Sequence, residues 1–286
     1  MAMTINTNVM SLNAQRNQAN NTESMATTLQ RLSSGLRVNT AKDDAAGLAI
    51  AERMNTQVRG MTVAVRNAND GISLSQVAES GISTLTDILQ RMRELTVQAI
   101  NSTNTSSDVS ALNQEYNQLG SELGRIISAV QFNGSNLFTT TAGYTFQVGA
   151  STGQSISVAS STLNFQSAAG LSAVMNGGIY TASTSALTTT SNAQNSANLT
   201  AIDLAIDTVN AARAQLGAVQ SRFEKTINFL QTGIENQSAA RGRIMDADFA
   251  AETSNLSRVQ ILQQAGTAMI AQANQMPQSV LQLLKG

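Results

Sequence analysis

The sequence predicts a mainly α-helical fold: a long helical bundle or coiled coil formed by both chain ends, with a small β-hairpin-containing central insert. Three observations carry that expectation. Near the C-terminus Val259, Gly266, Ala273 and Val280 recur in steps of seven, and Leu262, Met269, Met276 and Leu283 repeat the step three residues later. Alternating three and four is the spacing of a narrow coiled-coil seam rather than of a broad core-facing stripe. Second, 42% of the 286 residues are hydrophobic but only 3% are aromatic and one is proline, which suits long helices meeting through small side chains. Third, Gln131 to Asn198 is dominated by Ser, Thr, Gly and Asn, and charge nearly vanishes, so turns and short strands are expected there.

The N-terminal stretch Ile5 to Leu32 is polar and rich in Asn and Gln. Its apolar positions Ile5, Val9, Leu12, Ala19, Met25, Leu29 and Leu32 follow the same rhythm with interruptions, so the two chain ends are expected to pair. Ser33, Ser34 and Gly35 stop this helix, and Leu36 to Asp44 reads as a linker. Thr40, Asp43 and Asp44 are residues that start helices. A long helix then carries Met54, Val58, Met61, Val65, Ala68 and Ile72; its register slips near Gly71 and resumes at Ala78, Ile82, Leu85, Leu89 and Met92. Asn101 to Asp108 reads as a turn with Asp108 as the N-cap. Val109, Leu112, Tyr116, Leu119, Leu123, Ile126 and Val130 follow in the cleanest repeat of the chain.

Asn133-Gly134 is a hairpin-turn signal. Tyr144, Phe146 and Val148, with Ile156 and Val158, alternate with polar residues as strands do. Helix is expected to return at Leu199 and to carry Ile202, Ile206, Val209, Leu216, Phe223, Ile227, Leu230 and Ile234 to about Gln237, with Arg241 to Met245 as a joint. Pro277 predicts a kink or an end within the last helix. The expected domains are a discontinuous terminal coiled coil (1–33 and 245–286), a linker (34–45), a discontinuous helical bundle (46–138 and 196–244) and a Ser/Thr-rich insert (139–195).

The seam residues Val259, Leu262, Gly266, Met269, Ala273, Met276, Val280 and Leu283, with Ile5, Val9, Leu12, Leu29 and Leu32, form a candidate polymerisation surface. The remaining faces of the last helix carry Gln263, Gln264, Gln272, Asn274, Gln275 and Gln278, too polar for a monomer's interior and poor in charge for a solvated exterior. Ordering such a tail costs roughly 1–2 kcal/mol of backbone entropy per residue. A narrow seam with Gly and Ala in it buries too little to offset that cost. The ends are therefore expected to be loose alone and ordered when other chains cover them.

Composition also excludes. Cysteine and histidine are absent, which removes disulfides, Cys or His metal sites, Cys nucleophiles and His-based triads. No cofactor and no enzymatic activity are expected. Asp43-Asp44, Asp246 and Asp248 read as helix-start charges, and the seam methionines as packing residues rather than copper ligands. Net charge is −1, with no basic tract and no apolar run long enough for a bilayer, so neither nucleic acid nor membrane is an expected partner. The N-terminal segment shows no cleavable secretory signal pattern.

Several stretches resemble bacterial flagellins. They are Ile5–Val9 (INTNV), Arg31–Met54, Leu89–Gln98 (LQRMRELTVQ), Gln131–Gly134 (QFNG), Ser221–Glu224 (SRFE), Arg243–Glu252 and Ile261–Leu284. The resemblance covers about three quarters of the chain; roughly 140–195 does not match, and its shortness implies a reduced variable region. It implies a structural subunit that self-assembles into the helical flagellar filament, a propeller for motility, exported unfolded by the flagellar type III system to the extracellular filament. It also implies a partner set: further copies of the chain, an export chaperone, filament cap and hook-junction proteins, and a host Toll-like receptor. The chaperone surface carried by resemblance is Ile261, Leu262, Leu281 and Leu284, and the receptor patch is Gln90, Arg91, Leu95 and Glu115. The plain reading of Arg91 and Glu115 is an interhelical polar contact. Ser and Thr within 139–195 are candidate O-glycosylation acceptors or simply a solvated loop. Two alternatives stand beside the filament subunit: a hook–filament junction protein, and a secreted coiled-coil adaptor whose ends are ordered in the monomer.

Overall fold

The computed structural model describes residues 7–165, 187 and 192–285, with 192–194 and 277–285 as backbone only. Ile5 and most of the Ser/Thr-rich stretch beyond Phe165 lie outside the described residues. The long helices are α1 (Val9–Ser34), α2 (Ala45–Ile100), α3 (Ser106–Ala129), α5 (Asn192–Met245) and α6 (Phe249–Lys285). Between α3 and α5 come strands β1 (Gln131–Phe132), β2 (Ser135–Asn136), β3 (Tyr144–Gln147) and β4 (Ser155–Val158), and a single helical turn, α4 (Ser160–Leu163). The fold is mainly α with a small hairpin-containing insert, as the sequence predicts. The chain forms two compact units, Met1–Gln57 with Glu235–Gly286, and Val58–Ile234.

In the first unit α1 and α6 lie antiparallel, Asn8 reaching Ala273 and Arg31 reaching Glu252. Gly35 ends α1 in the left-handed conformation (φ 71°), and its N–H donates to the Arg31 carbonyl at 2.8 Å. Only glycine takes that φ without strain, so the expected stop signal has a backbone cause. The linker then runs beside the α5–α6 joint: Arg37 N–H donates to the Met245 carbonyl at 2.6 Å, Ala247 N–H to the Gly35 carbonyl at 2.9 Å, and Leu36 bridges Asp246. Val38, Ala51 and Met245 close a small apolar cluster beneath.

Asp44 and Asp43 divide the tasks expected of them together. The Asp44 carboxylate accepts the Gly47 N–H at 2.8 Å and starts α2. Asp43 instead accepts the Thr40 and Asn39 N–H groups and the Thr40 hydroxyl. The Thr40 backbone bond foremost holds its carboxyl below the ordinary aspartate value. Asp248 caps α6 through the Ala250 and Ala251 N–H groups.

Four local expectations are corrected. Helix α5 begins at Asn192, not Leu199, and continues through Met245 rather than breaking after Gln237. Its large apolar seam ends near Ile234, but Gln, Ala and Arg beyond it are good helix formers. The N-cap of α3 is Thr105, with Asp108 at the third helical position: Thr105 Oγ1 accepts the Asp108 N–H and the Asp108 carboxylate accepts the Thr105 N–H. The register of α2 does not slip at Gly71: Ala68, Gly71, Ser75 and Ala78 are all buried and keep the three-and-four step, and Gly71 lies under Phe223, whose Cζ sits 2.5 Å from where a Cβ would be. Helix α6 does not end at Pro277 but continues to Lys285. A proline lacks the N–H that would bond the carbonyl four residues back, here Ala273. That carbonyl accepts the Asn8 side-chain amide at 2.7 Å instead.

The second unit is built on stretches of α2, α3 and α5. Its core contains Leu74, Ile82, Leu85, Leu89, Met92, Leu95, Leu123, Ile127, Ile202, Val209 and Leu216, together with Tyr116 and Phe138. The Asn133-Gly134 signal forms the β1–β2 hairpin, both residues at positive φ (49° and 77°), pairing Gln131 with Asn136. Strands β3 and β4 pair Tyr144 with Val158 through Gln147 with Ser155. Alternation sends Ile156 and Val158 inward and Ser155 and Ser157 outward. Phe146 meets Phe223 edge-on at 5.5 Å, tying this hairpin to α5.

Candidate assembly surface on the terminal helices

The face of α1 turned to α6 is polar and small: Ser11, Ala14, Gln18, Asn21, Met25 and Thr28, all buried or half-buried. The facing residues of α6 are Glu252, Leu256, Val259, Gln263, Gly266, Ile270 and Ala273. Both sets keep the three-and-four step of a coiled-coil seam. Polar pairs supply its contacts. Ser11 donates to Asn274 Oδ1 at 2.8 Å, and Asn8 caps α1 through the Ser11 N–H while its amide reaches Ala273. Gly266 leaves room for the Gln18 side chain, whose Oε1 would lie 2.1 Å from an added Cβ. At the other end Glu252, almost fully buried, meets Arg31 at 3.4 Å and accepts the Asn255 amide.

Of the expected seam, only part is used within the chain. Val259, Gly266 and Ala273 face α1. Leu262, Met269 and Met276 remain exposed, as do Val9, Leu12 and Leu29, whose exposures are 66%, 52% and 49%; Leu32 is half-buried. Ile5 lies outside the described residues, and so do the side chains of Val280 and Leu283. The inner seam of α1 is the one that apolar counting misses, because Ser11, Gln18 and Thr28 carry it. A signal for it exists: the same heptad read with small and polar residues admitted. A cavity of about 530 Å³ opens between the helices, walled by Met10, Ala14, Leu262, Gly266, Met269 and Met276 among others.

Elsewhere, Arg91 Nε meets Glu115 at 2.7 Å and its guanidinium also holds Glu94 at 2.9 Å, which raises the Arg91 pKa, chiefly through the Glu115 bond. Gln90 is exposed beside them, whereas Leu95 is 1% exposed and belongs to the core. Ile261 is exposed on α6 next to Leu262; the side chains of Leu281 and Leu284 lie outside the described residues. In the insert, Thr141, Thr145, Ser151, Thr152, Ser155, Ser157 and Ser161 are exposed. Among the described residues no group of three acidic side chains could hold a metal, and no helix is long and apolar enough to cross a membrane.

A helix pair that buries small and polar residues while displaying Leu, Val, Ile and Met outward defines a protein built to be covered by further helices. The bacterial flagellin N-terminal helical region matches residues 5–143 and the C-terminal helical region matches 199–284, and the chain belongs to the bacterial flagellin family. It is 45% identical over 285 residues to a flagellin of Halalkalibacterium halodurans, covering 99% of this chain and 100% of that one. A flagellin of Bacillus subtilis is 40% identical over 310 residues, with the same coverage. The flagellar filament 33 kDa core protein of Treponema phagedenis is 40% identical over 294 residues, again covering 99% of this chain and 100% of that one. The family is structural, not enzymatic.

Proposed function

We infer that this chain is the structural subunit of the bacterial flagellar filament, self-assembling into the extracellular propeller. The observation that carries the reading is the outward apolar stripe of the terminal pair, Val9, Leu12 and Leu29 on α1 with Ile261, Leu262 and Met269 on α6. Large apolar side chains left in water at helical spacing gain free energy when further helices cover them. The seam residues that stay outward, Val9, Leu12, Leu29, Leu262, Met269 and Met276, are the polymerisation surface in this reading, and 1–33 with 245–286 form the filament's inner layer. The discriminating experiment adds purified subunit to short filament seeds and follows growth by electron microscopy, with limited proteolysis alongside. Long filaments with terminal helices protected only after growth support the subunit. Failure on any seed, with ends already protease-resistant, would instead favour a junction or adaptor protein.

Four finer readings accompany it. Export in an unfolded state through the flagellar type III apparatus is supported by a chain without cysteine, which has no crosslink to undo. An export chaperone would cover Ile261 and Leu262, two exposed apolar residues on one turn of α6, together with Leu281 and Leu284. Cap and hook-junction proteins would meet the same terminal helices at the two filament ends. A host Toll-like receptor would meet Gln90, Arg91 and Glu115 directly, with Leu95 supporting the patch from below.

A further inference from the structure

Three thioethers wall the cavity between α1 and α6. Met10, Met269 and Met276 are 59%, 63% and 41% exposed, and all three line that one space. The other described methionines differ. Met92 and Met245 are buried, at 0% and 8%, and Met25, Met54 and Met61 are half-covered. The chain has no cysteine, so thioethers are its oxidisable sulfur. Exposure governs how fast an oxygen-atom donor reaches a methionine sulfur.

We propose that Met10, Met269 and Met276 form an oxidative modification site that a peroxide attacks in the free subunit and that switches assembly off. The proposal rests on the filament-subunit reading, because the groove is covered only when other chains pack on it. In the reaction the sulfur lone pair attacks one peroxide oxygen, the O–O bond breaks and an S–O bond forms. The sulfur loses two electrons to the peroxide, and the departing hydroxide takes the proton of the transferred oxygen and leaves as water. A flexible apolar side chain becomes polar and chiral. The groove is a poor place for it. The Gln18 Oε1 there is already a buried acceptor without a donor, and a sulfoxide adds a further acceptor. Covering such a group without a hydrogen bond is unfavourable by about tenfold or more in the association constant per site.

The test treats free subunit and preformed filament with graded hydrogen peroxide, maps sulfoxides by peptide mass spectrometry and measures elongation on untreated seeds. Met10, Met269 and Met276 of the free subunit are expected to oxidise before Met92 and Met245, and to be spared in the filament. Subunit oxidised at these three is expected to elongate about tenfold more slowly or worse, and to recover when methionine sulfoxide reductases of both stereospecificities are added. The Met10→Leu, Met269→Leu, Met276→Leu variant, compared with its own untreated growth, is expected to lose its sensitivity to peroxide. If that variant does not grow, the reductase arm decides alone. Normal elongation by fully oxidised subunit, or no recovery after sulfoxides are reduced, overturns the proposal. Untreated wild-type subunit that does not elongate overturns the filament reading instead.

Discussion

At the residue scale, Asn8 does two tasks with one side chain. Its oxygen accepts the Ser11 N–H at 3.1 Å, starting α1, and its amide supplies the donor that Pro277 withholds from the Ala273 carbonyl. Asn8→Ala removes both and is expected to cost the terminal pair about 1–2 kcal/mol. Asn8→Asp keeps the cap and loses only the donor, so it should fall between. Amide hydrogen exchange in the first turn of α1 reads the difference; equal protection in all three proteins would show that the Asn8 bonds are not what holds this end. Gly71 is the second residue of this kind. Gly71→Ala drives a methyl into the Phe223 ring, and the ring is itself held against Phe146, so the overpacking is expected to cost about 1–3 kcal/mol against a helix-propensity gain of about 1 kcal/mol. Thermal unfolding would check it, and a raised Tm would mean that the ring yields freely.

At the scale of elements, α3 stands on its capping box. The Thr105 hydroxyl and N–H both bond the Asp108 carboxylate, and the hydroxyl bond, foremost, holds its pKa below the ordinary aspartate value. A depressed acid stabilises the fold fully above its unfolded value, about 3.9, and that contribution is lost as pH falls through the lower folded value. The first turn of α3 is therefore expected to loosen below about pH 4, and Thr105→Ala, which loses the hydroxyl bond but keeps the backbone one, to weaken this dependence. Titration of the Asp108 carboxyl and of the neighbouring amides by NMR would show both effects, and an Asp108 that titrates at or above its ordinary value would contradict them. Legibility at this scale followed side-chain size. The α3 repeat from Val109 to Ile126 and the Asn133-Gly134 turn could be read directly, because large apolar residues and positive-φ turns leave local marks. The cap was misplaced by three residues, since Thr105 and Asp108 are both good N-cap types and only geometry separates them.

At the scale of the molecule, the consequential feature is which seam the chain keeps for itself. It buries Ser11 and Thr28, half-buries Gln18, Gln263 and Gly266, and leaves Leu12, Leu29, Leu262 and Met269 outward. Leu12→Asn and Leu262→Asn are accordingly expected to leave the helicity of the free subunit unchanged by circular dichroism while slowing seeded elongation by about tenfold each, the equivalent of ~1.4 kcal/mol. Loss of helicity in the free subunit would instead place these leucines inside the monomer fold. The sequence by itself determined the helical class, the pairing of the chain ends, the hairpin insert and the family, because periodicity, turn chemistry and motif spacing are written locally along the chain. Tertiary structure alone decided that Gly71 and Gly266 are seats for Phe223 and Gln18, that Pro277 is tolerated through Asn8, and that Leu95 lies in the core beneath Arg91. Each of these depends on which residue of a distant helix arrives opposite. A heptad repeat states that a face will be covered; the side chain that arrives across it states by what.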